Sequence, residues 1–148
     1  MADNNAAATK ASVSFTPGLG RRSRAVAAAF FILAGVNHFI FPAFYAGLVP
    51  PWLPAREALS AISGAAEIAG GLGLLVPRLR RAAGWGLIAL LIAVFPANLH
   101  AALHPDGSLP PIALYLRLPF QAVFIAWVWR VALKNAGSTT GHTESKVD

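Results

Sequence analysis

Residues 82–103, AAGWGLIALLIAVFPANLHAAL, contain no Asp, Glu, Lys or Arg. About 20 residues of helix, rising 1.5 Å each, cross the ~30 Å hydrocarbon core of a bilayer. A run of this length and apolarity therefore reads as a membrane span. Three more apolar segments accompany it, at about residues 25–41, 58–76 and 112–133. In lipid an open sheet leaves its backbone unsatisfied, and none of the four runs alternates as a barrel strand does. The fold class expected is all-α, an integral membrane four-helix bundle occupying residues 24–134. Residues 1–23 and 135–148 are rich in small and polar residues and are expected to be disordered tails, the first of them basic.

Composition supports the same class. Of the 148 residues, 56% are hydrophobic and 12% are charged, and mean hydropathy is +0.58. A water-soluble domain of this size would expose large apolar patches. The net charge of +6 does not point to nucleic acid, because the basic residues sit at the ends of apolar runs without forming a patch interleaved with aromatics. Ten of the twelve, among them Arg21, Arg22, Arg24, Arg78, Arg80, Arg81, Arg130 and Lys134, fall on one side of the four-span arrangement. That side is assigned to the cytoplasm, which places both termini inside a cell membrane. Tyr45, Trp52 and Tyr115 then mark the outer interface, and Trp85, Trp127 and Trp129 the inner one. A cleaved signal peptide is the competing reading of Arg21–Arg24 and the apolar run behind them. The run continues through Phe41, however, and no small-residue cleavage site follows promptly. The absence of cysteine removes thiol chemistry and Cys-based metal or iron–sulfur sites from this chain.

Polar residues inside a membrane are costly, so the few here are informative. They are His38, beside Asn37, in the first span; Glu67 in the second; Asn98, near His100, in the third; and Arg117 and Gln121 in the fourth. At 1.5 Å per residue, Glu67 lies roughly 13 Å from the outer end of its span, and Arg117 and Gln121 roughly 8 and 14 Å. The polar groups thus converge on one layer between the outer interface and the midplane. Ser60, Gly64, Glu67 and Gly71 follow helical spacing as a stripe of small residues, a face that lets another helix approach closely and turns Glu67 inward. Arg117 and Gln121 share a face, with Glu67 as the expected target. The structural reading of the pair is an ion pair that fixes register, and of Asn98 an interhelical hydrogen bond. Pro96 is expected to kink the third span and free a carbonyl towards the same layer. Between the first two spans, residues 41–57 (FPAFYAGLVPPWLPARE) hold four prolines and several aromatic rings. They read as a stiff connector or lid at the outer interface, with the first span running on past Pro42 towards Tyr45.

The runs GVNHFIFPAFYAGLVPPWLP (35–54), SGAAEIAGGLGLLVPRLRRAAGW (63–85), VFPANLHAAL (94–103) and LRLPFQAVFIAWVW (116–129) resemble the DoxX-like family of small four-helix membrane proteins. Members of the wider group are similar to a subunit of thiosulfate:quinone oxidoreductases and to redox-associated membrane proteins. The resemblance implies a redox-associated component and brings Glu67, Asn98, Arg117 and Gln121 inside its motifs. With no cysteine here, any thiol must come from a partner.

Two functional classes remain. One is a component that binds a quinone or another lipophilic small molecule in the polar layer, through Glu67, Asn98, Arg117, Gln121 and His38. The other is a non-enzymatic assembly protein whose polar layer only specifies the bundle. A haem held by His38 and His100 would need those helices close together around a macrocycle. The partners implied are the lipid bilayer and a membrane or redox protein, with homo-oligomerisation open and no nucleic acid; no metal site is legible.

Overall fold

The computed structural model describes residues 17–105 and 109–134. Four helices in it are long and apolar enough to cross a membrane: Gly20–Ile40, Arg56–Leu75, Arg80–Leu103 and Pro111–Leu133. The chain is an all-helical, multi-pass membrane protein built on a four-helix bundle. Its outward surface agrees, with Val26, Leu33, Ile62, Ile92, Ile112 and Val123 all largely exposed. Water would penalise that surface, whereas lipid solvates it.

Helix α1 spans Pro17–Ile40, which corrects the expected tail boundary: residues 17–23 are helical, and Arg21, Arg22 and Arg24 lie on the first turns of α1. Residues 1–16 and 135–148, the remainder of the expected tails, lie outside the described residues. A second correction follows at Pro42. The first span does not continue through it; α1 stops at Ile40, Phe41 leaves helical geometry at φ −123° and ψ 57°, and a separate short helix α2 runs Pro42–Leu48. Proline disfavours helical geometry in the residue before it and is well placed in a helix's first turn, so it ends one helix and starts the next. The long helices α3 (Arg56–Leu75), α4 (Arg80–Leu103) and α5 (Pro111–Val128, continued by a π-helical turn over Trp129–Leu133) match the sequence boundaries within about two residues. Ala55, at the head of α3, takes the left-handed conformation with φ 52°.

The bundle has a basic end, where α1, α4 and the π-helical turn carry their arginines, and a proline end, capped by α2. α1 packs along α3, α3 along α4, and α4 along α5. Small residues decide how closely. A Cβ on Gly35 would collide with the Gly64 carbonyl, one on Gly64 would lie 2.6 Å from His38 Cβ, and one on Gly71 2.8 Å from the Ala28 oxygen. The stripe read from sequence therefore faces α1. The adjacent Gly70 and Gly73 press instead against Leu87 and Ala83 of α4. A helix that must touch two neighbours at once needs small residues on two faces, which the Gly70–Gly71 pair supplies.

Apolar packing falls into two layers. Towards the basic end, Ala27, Ala28, Phe31, Leu74, Leu87, Val128 and Val131 form one core. At the proline end, Leu48, Ala101, Ala102 and Leu114 form the other. The fourth seam is different. α1 and α5 keep their backbones largely apart; the backbone of α1 comes closer on that side to the π-helical turn, and side chains bridge the rest. There the Trp127 indole N–H donates to Ser23 Oγ at 2.9 Å. Just above, Phe30 stacks on Phe124 with ring centroids 4.6 Å apart.

Candidate functional site

A cavity of about 690 Å³ lies between the two apolar layers, within the range usual for small-molecule sites. The polar residues expected to converge all reach it: His38 from α1, Glu67 from α3, Asn98 from α4, and Arg117 and Gln121 from α5. Phe31, Leu91, Val94, Leu116 and Phe124 supply apolar wall. The cavity opens sideways through the slack α1–α5 seam. Leu33, Leu116 and Phe120 line it, yet are 65%, 46% and 51% exposed, so its mouth faces lipid.

The pairing inside the layer differs from the sequence expectation. Glu67 does not meet Arg117 at ion-pair distance among the described residues; the basic side chain beside it is His38, whose Nε2 lies 3.8 Å from Oε2. The reason is positional. Glu67 sits on the small-residue face that presses against α1, whereas Arg117 belongs to the helix that stands away from α1. His38 is further held by Ser60 Oγ, 3.0 Å from Nδ1. Its ring also stacks on Tyr45 at 3.8 Å between centroids.

Gln121, also expected to face a ligand, is occupied as a strut. Its amide N–H donates to the Leu91 carbonyl, and its carbonyl accepts from Asn98 Nδ2 at 3.2 Å. This tie joins α4 to α5 and gives Asn98 the interhelical role that sequence allowed. The carbonyl used is Leu91's, adjacent to that of Ile92, which Pro96 deprives of its helical donor. Pro119, between Arg117 and Gln121, has the same effect on α5.

Among the described residues, two polar atoms in this layer have no hydrogen-bond partner. Glu67 Oε2 and Arg117 Nη1 are both buried without a hydrogen bond. Buried polar groups are nearly always satisfied, so each orphan needs an explanation. Tyr45 is the residue that sequence reasoning misplaced. It was read as an interfacial anchor, but α2 folds it back over His38 to roof the cavity. Burial pushes its hydroxyl pKa up, against the opposing effect of nearby Arg117, so it stays a neutral donor and acceptor. The only advance signal was Pro42, which redirects the chain.

His100 lies outside the cavity, under Trp52 (ring centroids 4.6 Å) and beside His104 (4.4 Å). His38 and His100 thus face different surroundings.

A family model described as a domain of unknown function (DUF8561) matches residues 27–132. The chain belongs to this family. No curated protein and no solved structure matches it. The matched stretch contains all four spans except the first turns of α1 and the last residue of the fourth, and every residue of the cavity.

Proposed function

We propose that this membrane protein binds a lipophilic small molecule with a polar head, of the quinone class, in the cavity between α1, α3, α4 and α5. The observation that carries the reading is the pair of orphaned atoms, Glu67 Oε2 and Arg117 Nη1, in a cavity that opens to lipid. A head group with oxygen acceptors satisfies the Arg117 guanidinium. A hydroxyl on the same head, as in a quinol, donates to Glu67; a protonated Glu67 donates to a quinone carbonyl. Tyr45 and His38 offer an aromatic face above the ring. The hydrocarbon tail leaves past Leu33 and Phe120 into the bilayer. The resemblance to DoxX-like proteins adds a redox setting, with electrons or thiols supplied by a membrane partner.

In this reading the basic end faces the cytoplasm of a cell membrane and the cavity lies in the outer leaflet. Because the chain has no cysteine, single cysteines report topology directly. Gly47→Cys on α2 reacts with an impermeant thiol reagent from outside, and Pro77→Cys in the α3–α4 turn does not; the opposite pattern inverts the assignment.

The binding test is purification in native lipid, mass spectrometry of what is extracted, and titration of ubiquinone or menaquinone against thermal stability. Wild type carries a stoichiometric ligand or is stabilised by the added quinone, and Arg117→Met loses most of that shift with topology intact. If neither co-purification nor stabilisation occurs, the polar layer is structural and the assembly-protein reading replaces this one.

A further inference from the structure

The polar face of α3 does not stop at the cavity. Glu57 falls three residues before Ser60, so Glu57, Ser60, Gly64 and Glu67 follow helical spacing along one face. Glu57 and Glu67 are the only carboxylates among the described residues, and the helix between them sets them about 15 Å apart along its axis. Glu67 lines the cavity that opens to lipid. Glu57 lines a separate cleft of about 430 Å³ between α2 and the head of α3, beside Ala43, Gly47 and Arg56. Arg56 and Glu57 are both exposed, so that cleft is open to water. Ser60, one turn further in, is buried at 4% exposure and reaches the cavity.

His38 bridges the buried hydroxyl and the buried carboxyl. Gly64 stands between Ser60 and Glu67 on the shared face, and a Cβ there would lie 2.6 Å from His38 Cβ. The imidazole from α1 thus takes the place of the side chain that glycine lacks. Its Nδ1 is 3.0 Å from Ser60 Oγ and its Nε2 is 3.8 Å from Glu67 Oε2. Tyr45 stacks on the face of the ring and leaves both nitrogens to these partners. Glu67 Oε2 makes no hydrogen bond, so rotation of that side chain is free to shorten the longer step, and such contacts are often long before a site is at work.

We infer that Glu57, Ser60, His38 and Glu67 form a proton line between the cavity and the aqueous surface at the proline end. Chains of carboxyl and imidazole groups inside a membrane serve this purpose, because imidazole accepts at one nitrogen and releases from the other. A proton leaving the Glu67 carboxyl joins His38 Nε2, the Nδ1 proton passes to Ser60 Oγ, and the hydroxyl proton leaves to water beside Glu57. One proton departs the cavity, one enters the cleft and no electron moves; the reverse sequence protonates Glu67. The other titratable groups lining the cavity are Tyr45 from α2 and Arg117 from α5, and α4 presents the uncharged Asn98. The line needs no bound ligand, so it stands apart from the quinone reading; with a quinone or quinol bound it would exchange the head group's protons with water.

The test is the rate at which the Glu67 proton exchanges with water in the full chain, washed free of lipid in detergent. The pH is set low enough for the protonated carboxyl to show its infrared C=O band, assigned by its loss in Glu67→Gln. Dilution into heavy water shifts that band, and the time course gives the rate. His38→Phe, which keeps a ring beside Tyr45, and Ser60→Ala each slow exchange by about tenfold or more. Ser63→Ala, which removes a hydroxyl that lines the cavity outside the line, leaves the rate unchanged. Thermal melting confirms that each variant is folded, and if His38→Phe does not fold, Ser60→Ala decides alone. A wild-type rate in either folded variant overturns the proposal. Slowing by Ser63→Ala equal to that by Ser60→Ala also overturns it, because protons would then enter through the cavity as a whole. A failure to bind quinone leaves this result standing, and a wild-type rate in Ser60→Ala leaves the quinone reading standing.

Discussion

The α1–α3 seam and the α1–α5 seam are built from opposite materials. On the first, Gly35, Gly64 and Gly71 bring backbone against backbone so closely that no Cβ fits. On the second, Leu33, Leu116 and Phe120 stand between helices whose backbones stay apart, and Phe30 on Phe124 closes only the lower part. Without a hydrophobic force between helices in lipid, close packing depends on small residues and interhelical hydrogen bonds. Where the chain supplies glycine the bundle seals; where it supplies large side chains and Pro119, space remains. One helix, α1, thus forms both the tightest wall of the cavity and one side of its mouth.

The comparison is most sharply broken at Gly64. Gly64→Leu should destabilise the bundle by about 3 kcal/mol or more, because the new side chain meets His38 and the α1 backbone. Gly86→Leu, where a Cβ meets nothing within 4 Å, should change stability by less than about 0.5 kcal/mol. Unfolding in mixed micelles measures both, and equal losses would show that the seam is not where stability resides.

Next in size is the tie between α4 and α5. Gln121→Leu removes the bonds to Leu91 and Asn98 and should cost about 1 kcal/mol, within the range of interhelical hydrogen bonds in membranes. An unchanged melting curve would remove the strut from the account. A double-mutant cycle then tests which side of the cavity Glu67 belongs to. Glu67→Gln with His38→Phe should show a coupling of about 1 kcal/mol, and Glu67→Gln with Arg117→Met no more than about 0.5 kcal/mol in the absence of ligand. The reverse order would restore the Glu67–Arg117 pairing that depth alone suggested. Smallest is Trp127→Phe, which keeps the ring beside Phe30 but loses the bond to Ser23. It should cost about 0.5 kcal/mol and measures how firmly the open seam is pinned at its base.

Much of this molecule was legible from sequence. The four spans are local properties, since twenty apolar residues in a row need no knowledge of their neighbours to demand a bilayer. Convergence of His38, Glu67, Asn98, Arg117 and Gln121 on one layer was legible too, because depth along a helix is residue count multiplied by rise. The Ser60–Gly71 stripe showed that α3 has a face for close approach, whereas the break that Pro42 makes in the first span was not anticipated.

What only the tertiary structure decided is rotation about each axis and the identity of each neighbour. Depth placed Glu67 and Arg117 at overlapping levels, but the glycine face of α3 turned Glu67 to His38, and across the slack seam Arg117 meets no carboxylate among the described residues. Gln121 had the composition of a ligand donor, yet α4 offered it a carbonyl and an amide at bonding distance. Tyr45 was an interfacial aromatic by position until the break at Phe41 let α2 fold it over the cavity. Hydropathy and charge sum along a chain and can be read one residue at a time. Which side chains meet depends on how whole helices fit against one another, and that is a property of pairs of surfaces that no single stretch contains.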